Sequence, residues 1–198
     1  MEMILEKLSE NSPYLCRHIS DVDKSLIDGF KVKYYENADS LETYIKEYAL
    51  EEESIGFMRT YLVIDKVTFE LVGYFSLKAG MFTKEKDPEE KVYGFDTIPG
   101  VELSFFAINM LYELNHKESE KYGLTIFRDF IIPLARYALQ IIGVGVLYVF
   151  SLPNAKLIEH YENNYKFNRL DITDETALYQ RMKPNDSESC IFMYQRLR

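Results

Sequence analysis

An asparagine and a tyrosine near the C-terminal end of the chain have types and a spacing that suit ligand binding. Asn154 follows the apolar run Val144–Ser151, and Tyr161 comes seven residues later in the segment PNAKLIEHYENNYKF. An asparagine where a strand passes into a helix can hydrogen-bond the amide-rich arm of a ligand. A tyrosine one face along that helix can point its hydroxyl into the same cleft. The alternative is a tyrosine that only packs a helix face.

A second candidate is the polar stretch Lys117–Gly123, which ends in glycine just before a predicted helix. Backbone N–H groups at a helix N-terminus are unsatisfied and, with the helix dipole, form a site for anions. Gly123 would let the backbone approach a phosphate closely. A single glycine before a helix is also typical of an ordinary turn, so the Asn154–Tyr161 pair is needed as support.

Cysteine and histidine chemistry is not indicated. Cys16 and Cys190 lie far apart in the sequence, which predicts two reduced thiols that pack as small apolar side chains. The histidines, His18, His116 and His160, are isolated from one another and have no metal-ligand spacing. We therefore expect no metal site.

Composition and charge restrict the partners. The formal net charge of −9 disfavours an extended nucleic-acid surface and permits a cationic substrate such as an amine. The N-terminus MEMILEKLSE has no secretory apolar region, and the run Ile141–Leu152 is too short to span a bilayer. We expect a cytoplasmic protein without membrane contact, and the sequence leaves a homodimer open.

The elements that must position these residues alternate between helix and strand. Hydrophobic spacing predicts helix Ser40–Ala49, hairpin strands Thr60–Ile64 and Leu71–Leu77, strand Val101–Asn109, helix Thr125–Ile142 with Pro133 inside and Gly143 at its end, strand Val144–Ser151, helix Ala155–Asn163 and strand Cys190–Arg196. Lys84–Lys91 is predicted as a loop and Ile98–Gly100 as a break. This order predicts one α/β domain over residues 1–198, with a mixed sheet flanked by helices.

These motifs together resemble the GNAT superfamily of acyl-CoA-dependent N-acyltransferases. The family has Asn and, seven residues on, Tyr before a closing Gly-Phe, and a loop of the form Gln/Arg-x-x-Gly-x-Gly/Ala. Here the pair is Asn154 and Tyr161, the closing residues are Lys166-Phe167 one position late, and the loop reads EKYGLT. The hairpin RTYLVIDKVTFELVGYFSLKAG and the strand IPGVELSFFAIN are also similar, so the resemblance spans Phe57–Leu170.

The resemblance implies a fold with splayed central strands and acetyl-CoA as co-substrate, without a metal. It implies Tyr161 as general acid and Glu102 as general base. It assigns the cofactor to the backbone of Phe106, Ala107 and Ile108, to the loop residues Lys121, Tyr122, Gly123, Leu124 and Thr125, and to Asn154. Residues 1–56 would supply N-terminal helices and parts of the acceptor site.

Two departures from the family pattern fall in the loop. Glu120 stands where the family has Gln or Arg, and it brings a carboxylate close to the expected pyrophosphate. Thr125 replaces a glycine, and its hydroxyl could cap the helix or reach a phosphate.

Three functions follow from these patterns. The first is acetyl transfer to a primary amine of a small molecule or peptide. The second is a binding or regulatory module of the same fold that has lost catalysis, which the departures at Glu120 and Thr125 favour. The third is a toxin that acetylates aminoacyl-tRNA, because the second hairpin strand resembles that of such toxins within the family, although the acidic charge opposes this function.

Overall fold

The computed structural model describes residues 2–33, 39–85, 95–116, 121–181 and 190–198. The strands are β1 (Tyr14–His18), β2 (Arg59–Asp65), β3 (Leu71–Glu85), β4 (Phe95–Ile108), β5 (Val146–Ser151), β6 (Asn168–Arg169) and β7 (Ile191–Arg196). The helices are α1 (Glu2–Glu10), α2 (Ser25–Asp28), α3 (Asp39–Thr43), α4 (Ala49–Ser54), α5 (Met110–Asn115), α6 (Tyr122–Ile126), α7 (Ile132–Ile142), α8 (Ala155–Asn163) and α9 (Ile172–Arg181). Within these residues no helix is long and apolar enough to cross a membrane.

The strands form one mixed sheet, as the sequence predicted. Its hydrogen-bonded order is β1-β2-β3-β4-β5-β7-β6. The β4–β5 pair is parallel, and the pairs β1–β2, β2–β3, β5–β7 and β6–β7 are antiparallel. A hairpin joins β2 to β3 because Asp65 accepts hydrogen bonds from the N–H groups of Val67 and Thr68, at 2.7 and 3.0 Å.

The chain divides into two compact units, Met1–Lys78 with Ser104–Leu134 and Ala79–Leu103 with Ala135–Arg198. The core of the first unit packs the segment Asp39–Ser54 against β2 and β3 through buried residues that include Tyr44, Leu62 and Tyr74. The core of the second unit consists of Phe82, Val146, Tyr148, Leu170, Leu178 and Phe192. Each core removes aromatic and aliphatic side chains from water, which is the main favourable contribution to folding.

The predicted helix Thr125–Ile142 is present and begins three residues earlier, at Tyr122. A π-helical turn, Phe127–Ile131, ends two residues before Pro133. Proline has no N–H to donate to the preceding turn, and a wider turn accommodates its ring without ending the helix. Gly143 ends the helix with a φ of +73°, as expected of a glycine at this position.

Several predicted boundaries were wrong. The predicted break Ile98–Gly100 lies inside β4, where Gly100 pairs with Val146. The glycine serves close packing and not a turn, because a Cβ on Gly100 would lie 2.7 Å from the Cγ2 atom of Val146. Strand β3 continues to Glu85, into the predicted loop Lys84–Lys91, whose other residues lie outside the described ones. The helix predicted over Ser40–Ala49 extends to Ser54.

Candidate active site

Tyr161 lies on α8 with its side chain buried in the second unit. The residue is 6% exposed, and the rings of Tyr165 and Phe167 pack edge-on against it at centroid distances of 5.4 and 5.3 Å. Burial raises the pKa of the Tyr161 phenol above its ordinary value of 10.0, because a buried phenolate would lose its hydration. In the described part of the chain its hydroxyl has no hydrogen-bond partner. The hydroxyl is therefore a neutral proton donor at physiological pH.

Asn154 determines where α8 begins. Its Oδ1 accepts hydrogen bonds from the N–H groups of Lys156 and Leu157, at 3.0 and 3.2 Å. This is the N-cap arrangement, which satisfies two of the orphan donors of the first turn. The sequence had assigned Asn154 to a ligand, and the structure gives its carboxamide oxygen to the helix. The NH₂ group of the same side chain can still donate to a ligand.

Lys166 shows how α8 closes without the family's glycine. Its φ of +60° is in the left-handed region that normally favours glycine. The turn is completed by the N–H of Phe167, which donates to the carbonyl of Tyr161 at 3.1 Å. The Nζ of Lys166 donates to the carbonyl of Asn163 at 2.7 Å. The left-handed backbone is thus retained, although the residue type has changed.

Glu102 lies half-buried on β4, in the second unit. Its Oε2 accepts a hydrogen bond of 3.1 Å from the hydroxyl of Tyr148, which stands opposite it on β5. The parallel pairing of β4 with β5 covers only Gly100–Glu102 and Val146–Tyr148, whereas β5 pairs with β7 along its whole length. The sequence named Glu102 as a candidate base, and the structure places it at the last pair of this short parallel ladder.

Phe106, Ala107 and Ile108 form the end of β4 in the first unit. β3 lies so close here that a Cβ on Gly73 would be 2.5 Å from the carbonyl oxygen of Ala107. Successive backbone groups of a strand point to opposite edges, so one set is directed away from β3. Asn109 ends the strand as predicted, because its Oδ1 accepts from the N–H of Leu111 at 3.2 Å and begins α5.

The residues Lys121, Tyr122, Gly123, Leu124 and Thr125 lie at the N-terminus of α6 in the first unit. The prediction that Gly123 ends a loop was wrong, because it is the second residue of α6. The prediction that Thr125 could cap the helix was also wrong, since its N–H already donates to the carbonyl of Lys121 at 2.9 Å. Glu120 lies outside the described residues. The first N–H groups of α6 belong to Tyr122, Gly123 and Leu124, which is the geometry that binds an anion.

The sequence missed one tyrosine that supports these positions, Tyr148. Tyr148 lies in an apolar strand and was taken as core, although a hydroxyl in the middle of such a strand needs a partner. Tyr122, which the resemblance assigns to the cofactor, is buried and donates to the carbonyl of His116, which fixes the first turn of α6. A polar atom in an apolar segment was the sequence signal for the role of Tyr148.

Thiols and metal ligands add nothing to the site. Cys16 and Cys190 form no disulfide within the described residues. Burial raises the pKa of the Cys16 thiol, which therefore stays protonated. Within the described residues no group of three or more His, Cys, Asp or Glu side chains could hold a metal ion.

Comparison with protein families gave no match, and neither did comparison with curated proteins. Solved structures do match. A tyrosine-to-phenylalanine mutant of KacT has a TM-score of 0.67 at 18% identity and covers 94% of this chain and 96% of that chain. A tyrosine-to-phenylalanine mutant of the toxin AtaT, bound to the C-terminus of the antitoxin AtaR and acetyl-CoA, has a TM-score of 0.61 at 15% identity and covers 94% of each chain.

A third structure, AtaT complexed with acetyl-methionyl-tRNAfMet, has a TM-score of 0.63 at 16% identity and covers 90% of this chain and 93% of that chain. At these identities the likeness shows the fold. It confirms the fold predicted from the resemblance to the GNAT superfamily, a mixed α/β sheet flanked by helices.

Proposed function

We propose that this chain, with the fold it shares with KacT and AtaT, is an N-acetyltransferase that moves an acetyl group from acetyl-CoA to a primary amine. The observation that carries the proposal is Tyr161, a buried and protonated phenol seven residues after the helix cap Asn154. The fold supports acetyl-CoA as co-substrate, since AtaT was solved with acetyl-CoA bound.

In the first unit, two features suit the cofactor. The backbone of Phe106, Ala107 and Ile108 offers strand N–H and carbonyl groups that can pair with the amides of the pantetheine arm. The first turn of α6, from Lys121 to Thr125, offers backbone N–H groups to the pyrophosphate, and the exposed Lys121 adds a positive charge there. We assign acetyl-CoA to these residues.

In the second unit, two side chains suit proton transfer. A C–N bond forms between the amine nitrogen and the acetyl carbon while the C–S bond to CoA breaks. The departing thiolate takes a proton from the hydroxyl of Tyr161, and the proton lost by the amine goes to Glu102 directly or through water. Both groups have the chemistry that these roles need, because Tyr161 is a neutral acid and Glu102 a carboxylate.

The acceptor amine has two candidate classes. A small or peptide amine fits the net charge of −9, because a negative field attracts a cation. Aminoacyl-tRNA is the second candidate, since AtaT was solved with acetyl-methionyl-tRNAfMet. It would need a basic surface, which the overall charge opposes. We therefore favour the first class and retain nucleic acid as the less favoured partner.

The test combines binding with transfer. Purified chain is heated with increasing acetyl-CoA, and a ligand at about a hundred times its Kd should stabilise the fold by about 2.7 kcal/mol. Release of CoA is then followed with polyamines, free amino acids, peptides with free N-termini and methionyl-tRNA. Transfer to any of them supports the proposal and identifies the acceptor class. Binding without transfer would favour a regulatory module, and the absence of binding at millimolar acetyl-CoA would refute the proposal.

A charge reversal locates the cofactor. Lys121→Glu places a carboxylate at the first turn of α6 and should reduce the stabilisation by acetyl-CoA. Lys24→Glu is the matched control, because Lys24 is likewise an exposed lysine at the cap position of a helix, the short α2. An equal response of the two variants would contradict the assignment of α6 to the pyrophosphate.

A further inference from the structure

Tyr148, on the interior strand β5, contacts the candidate base Glu102 and has no role in the chemistry so far. We propose that Tyr148 is a positioning residue that holds the Glu102 carboxylate in a fixed orientation to receive the proton of the amine. This inference rests on the proposed function and concerns only residues of the second unit.

The two side chains are held together by the sheet. Glu102 and Tyr148 are direct partners in the parallel β4–β5 pairing, and the hydroxyl of Tyr148 donates to Oε2 of Glu102 at 3.1 Å. Tyr148 is 1% exposed, and its ring packs against those of Phe82, Phe150 and Phe192 at centroid distances of 6.1, 6.1 and 5.7 Å. A ring so enclosed cannot change its rotamer without disturbing the core. The position of its hydroxyl is therefore fixed.

Two glycines, Gly80 and Gly100, leave space for the side chain of Tyr148. A Cβ on Gly100 of β4 would lie 3.0 Å from Cδ1 of Tyr148, and a Cβ on Gly80 of β3 would lie 1.9 Å from its hydroxyl oxygen. The side chain of Tyr148 thus runs from β5 across β4 to β3, over positions without side chains. Any residue other than glycine at position 80 would displace the hydroxyl. The two glycines therefore leave the space that the Tyr148 side chain needs to reach Glu102.

The direction of the hydrogen bond is also determined. The Tyr148 hydroxyl accepts from the backbone N–H of Met81, which leaves its own proton for Glu102. Burial and the neighbouring carboxylate raise the pKa of Tyr148, so the phenol does not ionise in competition with Glu102. A general base acts efficiently only when its geometry is held within about 0.5 Å. Tyr148 provides this restraint on Glu102.

A double-mutant cycle tests whether Tyr148 acts through Glu102. With acetyl-CoA and the best acceptor among the amines and methionyl-tRNA above, Tyr148→Phe should lower kcat about tenfold or more, the effect of losing one hydrogen bond to a charged group. The KM for acetyl-CoA should stay unchanged. In the Glu102→Gln background, adding Tyr148→Phe should change kcat less than about twofold. Equal losses in both backgrounds would overturn the inference.

A second variant distinguishes the loss of the Tyr148–Glu102 hydrogen bond from a general loss of core packing. Gly80→Ala should displace the hydroxyl, lower kcat as much as Tyr148→Phe, and lower the Tm. Removing that hydroxyl in the double variant Gly80→Ala/Tyr148→Phe should restore most of the Tm but not kcat. Tyr179→Phe is the matched control, because it also removes a hydrogen-bonded tyrosine hydroxyl of the second unit, which is part-buried and donates to the carbonyl of Cys190 at 2.7 Å. It should lower the Tm and leave kcat unchanged, and a fall in kcat equal to that of Tyr148→Phe would overturn the inference.

Activity and stability measurements together distinguish an incorrect proposed function from the absence of the Tyr148–Glu102 hydrogen bond. If the wild-type chain transfers acetyl to none of the acceptors, the catalytic role of Tyr148 falls together with the proposed function. The same variants are also compared by urea denaturation, where Tyr148→Phe and Glu102→Gln should show coupled effects on stability. Additive effects there would overturn the contact itself, whether or not the chain is an enzyme.

Discussion

Replacing Tyr161 by phenylalanine is the sharpest single test of the proposed chemistry. The change removes one hydroxyl and keeps the ring that packs against Tyr165 and Phe167. Because the hydroxyl has no hydrogen-bond partner within the described residues, its loss breaks no bond there. We therefore expect the stability of the variant to stay within about 0.5 kcal/mol of the wild type.

The expected effect on the rate is large. A positioned general acid contributes about 10²–10⁴ in rate, which corresponds to about 3–5 kcal/mol of transition-state stabilisation. The Tyr161→Phe variant should lose this factor in kcat, while its affinity for acetyl-CoA, measured by thermal shift, stays unchanged. Because the pKa of Tyr161 is raised above 10.0, the wild-type rate should show no alkaline decline from this group below about pH 10.

The matched control is Tyr165→Phe, which changes a second buried tyrosine four residues further along the chain, in the turn after α8. It should retain activity close to the wild-type level. Equal rates for the wild type and Tyr161→Phe would refute the role of Tyr161 as general acid. A parallel loss of acetyl-CoA binding would show that the hydroxyl serves the cofactor and not the leaving group.

Three further predictions concern the backbone and the buried phenols. Lys166→Gly should stabilise the chain by up to about 1 kcal/mol in urea denaturation, because it relieves a left-handed residue; a loss of stability would contradict this. Gly73→Ala should cost about 1–3 kcal/mol and weaken acetyl-CoA binding, because its Cβ would displace Ala107; unchanged binding would exclude this part of β4 from the cofactor site. Burial raises the pKa values of Tyr61 and Tyr148, so the folded state binds more protons than the unfolded state above about pH 10. Stability should be complete below that pH and fall as pH rises above it, and a flat urea midpoint between about pH 9 and 11 would contradict the burial of these phenols.

Local sequence patterns were sufficient to predict the elements that are strongly periodic. The helix Ala155–Asn163 was predicted at its observed bounds, and the hairpin strands were found at Arg59–Asp65 and Leu71–Glu85. Periodicity is a property of neighbouring residues, so it is visible without the fold. Gly143 was likewise recognised as a helix end, because a left-handed backbone favours glycine wherever it occurs.

Two glycines that were predicted to interrupt regular structure lie inside regular elements. Gly100 was predicted as a break and lies inside β4, where Val146 leaves no room for a Cβ. Gly123 was predicted to end a loop and lies in the first turn of α6. A glycine chosen for space and a glycine chosen for φ look the same in a sequence, and only neighbours distant along the chain distinguish them.

The candidate active site likewise has features that the sequence showed and features that only the tertiary structure showed. The sequence by itself showed that Tyr161 follows Asn154 by seven residues. Because Asn154 caps α8 and Tyr161 lies on α8, this spacing determines where the two side chains stand along and around the helix. The burial that raises the pKa of Tyr161 and the bond from Tyr148 to Glu102 were decided by the tertiary structure. Tyr148 and Glu102 are 46 residues apart, and only the parallel pairing of β4 with β5 brings them together. Burial and cross-strand contact depend on packing between distant segments, which no local pattern records.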